Sequence, residues 1–246
     1  MRYLVAFLAV GLLGATANAT IWVQESFTHP DGNLVGQTPE IGGTWATHSG
    51  TIGPVQVGGG AITLVQSAAA TQDVNTGTGT AMAAGDRWYA GFDLSVTGGT
   101  TNVYFAMFME GSSLFDGRIW LTAPASGGNY RLALSNDNSI TDADGEVFTG
   151  DLSFGTEYRV VHYYDYTAMA AKLWIDPVNE SSPGFLAADP GYSDEVAAYA
   201  FRQAGGNSQQ QIDNLVVATT FNEAVPEPGS LVLLALGGLA ILRRRR

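Results

Sequence analysis

Asp137, Asp142, Asp144 and Glu146 place four carboxylates within ten residues, and carboxylate oxygen is the ligand that a hard cation such as calcium selects. Calcium is the one metal this composition admits. The chain has no cysteine, which removes thiolate and iron–sulfur sites, and its three histidines are isolated, which argues against a zinc site. The run Asp142-Ala143-Asp144-Gly145 fits positions three to six of a twelve-residue calcium loop. In that register Ile140 stands where the first ligand belongs, and Asp151 stands where a bidentate glutamate closes the loop. A solvated acidic loop is the competing account.

Two carboxyls also do acid–base work on sugars. Retaining glycoside hydrolysis needs them about 5–5.5 Å apart and inverting hydrolysis about 6.5–9.5 Å. A Glu-x-Asp-x-Glu run on one strand supplies that spacing, and the chain contains none. Glu110 and Asp116 flank a turn, and their spacing alone does not set them across a cleft. His29 and His48 fall in loops and His162 falls mid-strand among aromatics; with no Gly-x-Ser-x-Gly elbow, a Ser-His-Asp device lacks its frame. Gly58-Gly59-Gly60 opens no helix and is no phosphate cradle. The sequon Asn179-Glu180-Ser181 is present as a pattern only.

Sugar binding asks for aromatic platforms with polar groups beside them. Trp22, Trp45, Trp88, Trp120 and Trp174 are the tryptophans. Trp120 lies out of phase with Ile119 and Leu121, and Trp174 with Leu173 and Ile175, so both point away from the aliphatic face. Tyr163 beside Asp165 has the same character, and Trp120, Tyr163 and Trp174 are the candidate ligand contacts. Core packing is the alternative for each, because aromatics dominate sandwich cores.

These side chains need a frame, and 246 residues with 46% hydrophobic and 14% charged content can build one core. Outside residues 1–19 and 226–246 the chain keeps six basic and twenty-two acidic side chains, a net of −16. Such a surface repels phosphate backbones, so nucleic acid is excluded as a partner. Between residues 20 and 222 no helical stripe appears, whereas β-branched and aromatic runs recur between Gly, Asn, Asp and Ser clusters. The predicted strands are 87–96, 103–110, 117–122, 130–136, 158–165, 170–176, 197–203 and 211–219. In the first, Trp88, Ala90, Phe92, Leu94 and Val96 share one face, the period of two that puts a face in a core. With no helix to cover a sheet, the expected fold is all-β, a two-sheet antiparallel sandwich.

The two ends read as addresses. Arg2, the apolar run from Leu4 to Leu13 and Ala17-Asn18-Ala19 compose a secretory signal helix with small residues, Ala17 and Ala19, at the cleavage positions. Cleavage there leaves Thr20 first. The other end runs Val225-Pro226-Glu227-Pro228, then twelve uncharged residues from Leu231 to Leu242, then Arg243 to Arg246. Twelve helical residues span only about 18 Å, short of a hydrocarbon core of about 30 Å, so this helix is a poor permanent anchor. The arginines favour the cytoplasmic side, consistent with export of the body.

Val225, Pro226, Glu227 and Pro228, the short apolar segment and the arginine cluster together resemble the PEP-CTERM sorting signal of Gram-negative bacteria. That resemblance implies processing by an exosortase, export machinery and signal peptidase as further partners, and a destination at the cell surface or in an extracellular matrix after transient anchoring in the inner membrane. It also implies surroundings rich in exopolysaccharide, as in a biofilm. Glu25-Ser26-Phe27, Gly32 to Gln37, Trp45, Tyr158 to Val161, Leu173 to Pro177 and Ile212 to Val217 are similar to concanavalin A-like lectin/glucanase (laminin-G-like) domains, which implies a jelly-roll. The expected layout is a signal peptide at 1–19, a β-sandwich domain at 20–222 and a sorting signal at 223–246, with residues 222–225 as exit linker. The expected role is non-enzymatic binding or organisation of exopolysaccharide. A structural matrix module without a sugar site, and a glycan-active enzyme, are the alternatives.

Overall fold

The computed structural model describes residues 19–225, apart from 68–70, 100–101, 112–113, 138–139, 141–145, 149, 188, 193–194 and 204. The strands run β1 (Ile21–Glu25), β2 (Gly32–Asn33), β3 (Ala46–Ser49), β4 (Gln56–Gly58), β5 (Ala61–Val65), β6 (Asp73–Gly77), β7 (Arg87–Gly98) and β8 (Val103–Glu110). They continue as β9 (Leu114–Thr122), β10 (Arg131–Ser135), β11 (Glu146–Val147), β12 (Glu157–Asp165), β13 (Ala170–Ile175), β14 (Phe185–Leu186), β15 (Val196–Phe201) and β16 (Gln209–Ala218). A single helical turn, α1 (Phe221–Ala224), follows.

A nine-stranded sheet runs β14-β13-β12-β7-β16-β5-β4-β2 with β1 also on β16, and a seven-stranded sheet runs β11-β10-β9-β8-β15-β6-β3. Every pairing between named strands is antiparallel. The chain changes sheets eight times, between β2 and β3, β3 and β4, β5 and β6, β6 and β7, β7 and β8, β11 and β12, β14 and β15, and β15 and β16, so many neighbours in space are distant in sequence. This is the expected antiparallel jelly-roll sandwich.

The alternation in β7 works as the sequence requires. Trp88, Ala90, Phe92, Leu94 and Val96 enter the core between the sheets, where they meet Phe105, Phe108, Tyr199 and Phe201 from the facing layer. Phe92 stands edge-on to both Phe105 and Phe201, the ring geometry that aromatic quadrupoles favour. All eight predicted strands form, with ends shifted by at most three residues.

The sheet edges close differently from the expectation. Residues 222–225, read in sequence as a free linker, are docked: Phe221 and Ala224 are buried against Tyr89, Val161, Tyr163 and Trp174 on the outer face of the nine-stranded sheet. At the other end Thr20 is tied to Thr219 by two hydrogen bonds of 3.0 Å, one in each direction, while Ala19 is exposed. The predicted signal helix with Ala17, and Pro226, Glu227, Pro228 and the apolar helix after them, lie outside the described residues. Among the described residues no helix is long and apolar enough to cross a membrane.

Candidate functional site

The outer face of the seven-stranded sheet gathers aromatic and cationic side chains. Antiparallel register sets Tyr104 (β8), Trp120 (β9), Ala133 (β10) and Val147 (β11) in one row across the sheet. A second row runs Met107, Ala200, Asn75 and Ala46. Directly opposed residues share a face, so these side chains turn away from the core that Ile119, Leu121, Leu132 and Leu134 fill. The small alanines leave the relief to the large side chains.

Tyr104 is the centre of the cluster. Its half-buried ring meets Trp120 edge-on at 4.9 Å and lies 6.4 Å from Phe115. The Arg202 guanidinium stands 4.1 Å from the Tyr104 centroid, and that of Arg118 stands 5.6 Å from both Tyr104 and Phe115. His48 closes on Phe115 edge-to-face at 5.1 Å, and its pKa is pulled down by burial. Arg131, opposite Thr122, adds a third arginine to this face. Thus Arg118, Arg131 and Arg202, half of the six basic side chains between residues 20 and 225, sit on one face of an acidic body.

Of the three ligand contacts expected from sequence, Trp120 belongs to this face and the other two do not. Trp120 is only 6% exposed, and its Nε1 is buried with no hydrogen-bond partner among the described residues. Trp174 does point outward from the core, but from the nine-stranded sheet, and it is fully covered. Phe221 lies on it at 5.1 Å and its Nε1 donates to the Ser182 carbonyl at 3.1 Å, so it has no free face for a sugar. Tyr163, 9% exposed on that same sheet, is capped by the Arg87 guanidinium 4.5 Å from its centroid. Sequence phase found the direction of both and missed what covers them, because Phe221 and Arg87 are distant in sequence from the rings they lie on.

The carboxylate candidates scatter. Asp142 and Asp144 lie outside the described residues, and Glu146 is known only as part of β11. Asp137 is half-buried; its N–H donates to Asp189 and its carboxylate accepts from Ser135 at 3.2 Å. Asp151, the closing position in the calcium-loop register, is engaged elsewhere. It accepts N–H bonds from Ala125, Ser126, Gly127 and Gly128 at 2.7, 2.8, 2.8 and 3.1 Å, which hold its pKa well below the usual carboxylate range. Among the described residues no three carboxylates or histidines cluster in a way that holds a metal ion.

Glu110 and Asp116 do come together at the β8–β9 hairpin, close enough for their carboxyl groups to influence each other. They face inward and are buried next to Tyr164, and burial pushes the Asp116 pKa up. His162, fully buried, has its pKa pushed down to about 3 by desolvation while its Nε2 shares a 2.8 Å hydrogen bond with Tyr199. His29 bonds Glu25 at 2.9 Å.

No curated protein matches the chain. Among solved structures, a sialidase shares the fold with a TM-score of 0.50 at 14% identity, over 82% of this chain and 20% of that one. The chain therefore spans about a fifth of the sialidase. The CBM2 module of the evolved Dit of Lactobacillus casei BL23 phage J-1 aligns with a TM-score of 0.48 at 10% identity, over 82% of this chain and 96% of that one. The Emp47p carbohydrate recognition domain aligns at 0.44 and 10%, over 79% and 96%. Residues 224–246 match the family model described as the PEP-CTERM protein-sorting motif, so the chain is a jelly-roll sandwich that carries a PEP-CTERM sorting motif at its C-terminal end.

Proposed function

We propose that this is an exported, exosortase-sorted protein of the cell surface or extracellular matrix, whose sandwich binds exopolysaccharide through the outer face of its seven-stranded sheet. The observation that carries the reading is the convergence on that face of Tyr104, Phe115 and Trp120 with Arg118 and Arg202. Aromatic rings take the apolar faces of sugars, while guanidinium groups take hydroxyls and carboxylates in a fork geometry. Burial of the Glu110–Asp116 pair supports a non-enzymatic role, since catalytic carboxyls must reach the glycosidic oxygen.

The test is binding of the mature chain to a panel of bacterial polysaccharides, with calcium and with chelator. Saturable binding weakened by Tyr104→Ala fits the reading. Binding abolished by chelator adds calcium and makes Asp142 and Asp144 the sites to change. Absence of binding favours a structural module, and consumption of the polysaccharide favours an enzyme.

A further inference from the structure

β7 carries a glycine at mid-strand, where a missing side chain weakens a sheet. Gly91 faces outward, and a Cβ there would overlap the carbonyl oxygen of Ala224. That carbonyl, at the end of α1, sits directly on the strand. Arg159 of β12 donates to it from Nε at 3.2 Å and Nη2 at 2.6 Å. The same guanidinium holds Asp93 at 3.2 Å and the Asn214 carbonyl at 2.9 Å through Nη1.

Asn214 belongs to a bulge in β16, between the pairs Asp213–Asp93 and Val216–Gly91. Its φ of 51° is left-handed, a conformation asparagine tolerates, and its Nδ2 donates to Asp93 at 2.8 Å. On the apolar side Phe221 stands edge-on to Trp174 at 5.1 Å and to Tyr89 at 6.1 Å. Val225 N–H returns to the Phe221 carbonyl at 3.1 Å. A strand glycine, a half-buried arginine and a left-handed bulge residue are each costly alone. Gly91 and Arg159 meet at one carbonyl, at the first residue matched by the sorting motif, and the Asn214 carbonyl of the bulge holds the same guanidinium.

We propose that Gly91, Arg159 and the β16 bulge form a socket for the Ala224 carbonyl that fixes where and in which direction the sorting motif leaves the body. The sorting enzyme then meets a motif whose chain leaves a folded sandwich at Val225, on the outer face of the nine-stranded sheet. This rests on the exosortase reading above. Five residues lie between Val225 and Leu231, so the apolar segment begins at most about 22 Å of extended chain beyond Val225. Beside it a pocket of about 200 Å³ is lined in part by Asp93, Glu157 and Asp213, and a partner approaching there meets negative charge. Arg159 acts on sorting through Ala224 and is a positioning residue.

The experiment uses the full chain, purified for hydrogen exchange and expressed in a host that carries the sorting enzyme. Arg159→Gln and Gly91→Ala are expected to raise exchange at residues 222–225 at least about tenfold, with β7, β12 and β16 still protected, and to slow processing severalfold. Arg159→Lys, which keeps charge beside Asp93 but loses the fork, falls between. If either main variant fails to fold, Phe221→Ala tests the apolar half of the dock in the same way. Wild-type residues 222–225 that exchange like free chain, or undocked variants processed at the wild-type rate, overturn the inference. A wild-type chain never processed overturns the sorting reading and this role with it, whatever the exchange pattern.

Discussion

The Arg202 guanidinium lies 4.1 Å from the centroid of the Tyr104 ring, whose edge contact with Trp120 is 4.9 Å. A ring held by a cation and an indole keeps one orientation before any ligand arrives, and that lowers the ordering cost of binding. Cation–π attraction of this kind is worth about 0.5–1 kcal/mol at a partly exposed site. Tyr104→Ala is expected to weaken polysaccharide affinity by about tenfold or more with little change in Tm, and Tyr104→Phe to retain most of it. Titration calorimetry and thermal melts together check this.

Glu25, in β1, is a buried hub. It accepts from Phe27 N–H at 2.6 Å, from Trp45 Nε1 at 2.9 Å and shares a 2.9 Å hydrogen bond with His29. Phe27 is itself in the left-handed region at φ 48°, which this acceptor helps to hold. Glu25→Ala strands two buried donors, and each costs about 1–3 kcal/mol. A loss on the order of 3 kcal/mol should appear as a lower urea midpoint at unchanged slope.

Stability should fall on mild acidification, and His162 is the reason. Its folded pKa of about 3 lies below the unfolded value of 6.5, so the unfolded chain binds the extra proton between those limits. The contribution is complete above pH 6.5 and is lost progressively as pH falls toward 3. Between pH 7 and pH 5 the loss is about 2 kcal/mol from this group. Asp73, Asp116, Asp189 and Asp213, raised by burial, act in the opposite sense at lower pH, because the folded state protonates them first. The check is therefore a comparison of urea midpoints at pH 7 and pH 5, where His162→Asn should show a smaller drop than the wild type.

Asp151 organises the turn at residues 125–128 through four N–H bonds. Asp151→Asn removes the charge that these donors converge on. Amide exchange at residues 125–128 should then accelerate while β9 and β10 stay protected. Unchanged exchange would mean that the turn holds its shape without the carboxylate.

The long strands were legible because β7, β12 and β16 each run nine or more residues rich in apolar and aromatic side chains, with a plain period of two along the core face of β7. β2, β11 and β14 are two residues each and pair only because the sheets around them exist, so local pattern could not mark them. Trp120 and Trp174 share the same phase signal, yet one joins an aromatic cluster and the other lies under α1. What separates them is Phe221, forty-seven positions beyond Trp174, and tertiary contacts of that span leave no periodic trace. Gly91 was the available clue. A glycine amid Tyr89, Asp93 and Ser95 on an outward face signals that another backbone comes close, and here it is the exit chain.

Thr20 and Thr219 hold each other at the C-terminal end of β16, only five residues before Ala224. The first and last strands of the sandwich's chain path thus meet at one corner, like a flag stitched at a single grommet. If the chain is held at a surface through its sorting motif, as proposed above, drag enters through that corner into β16, which is bonded to β7 on one side and to β1 and β5 on the other. The load spreads over four strands at once, and the seven-stranded sheet with its aromatic face hangs outside the path of the tension.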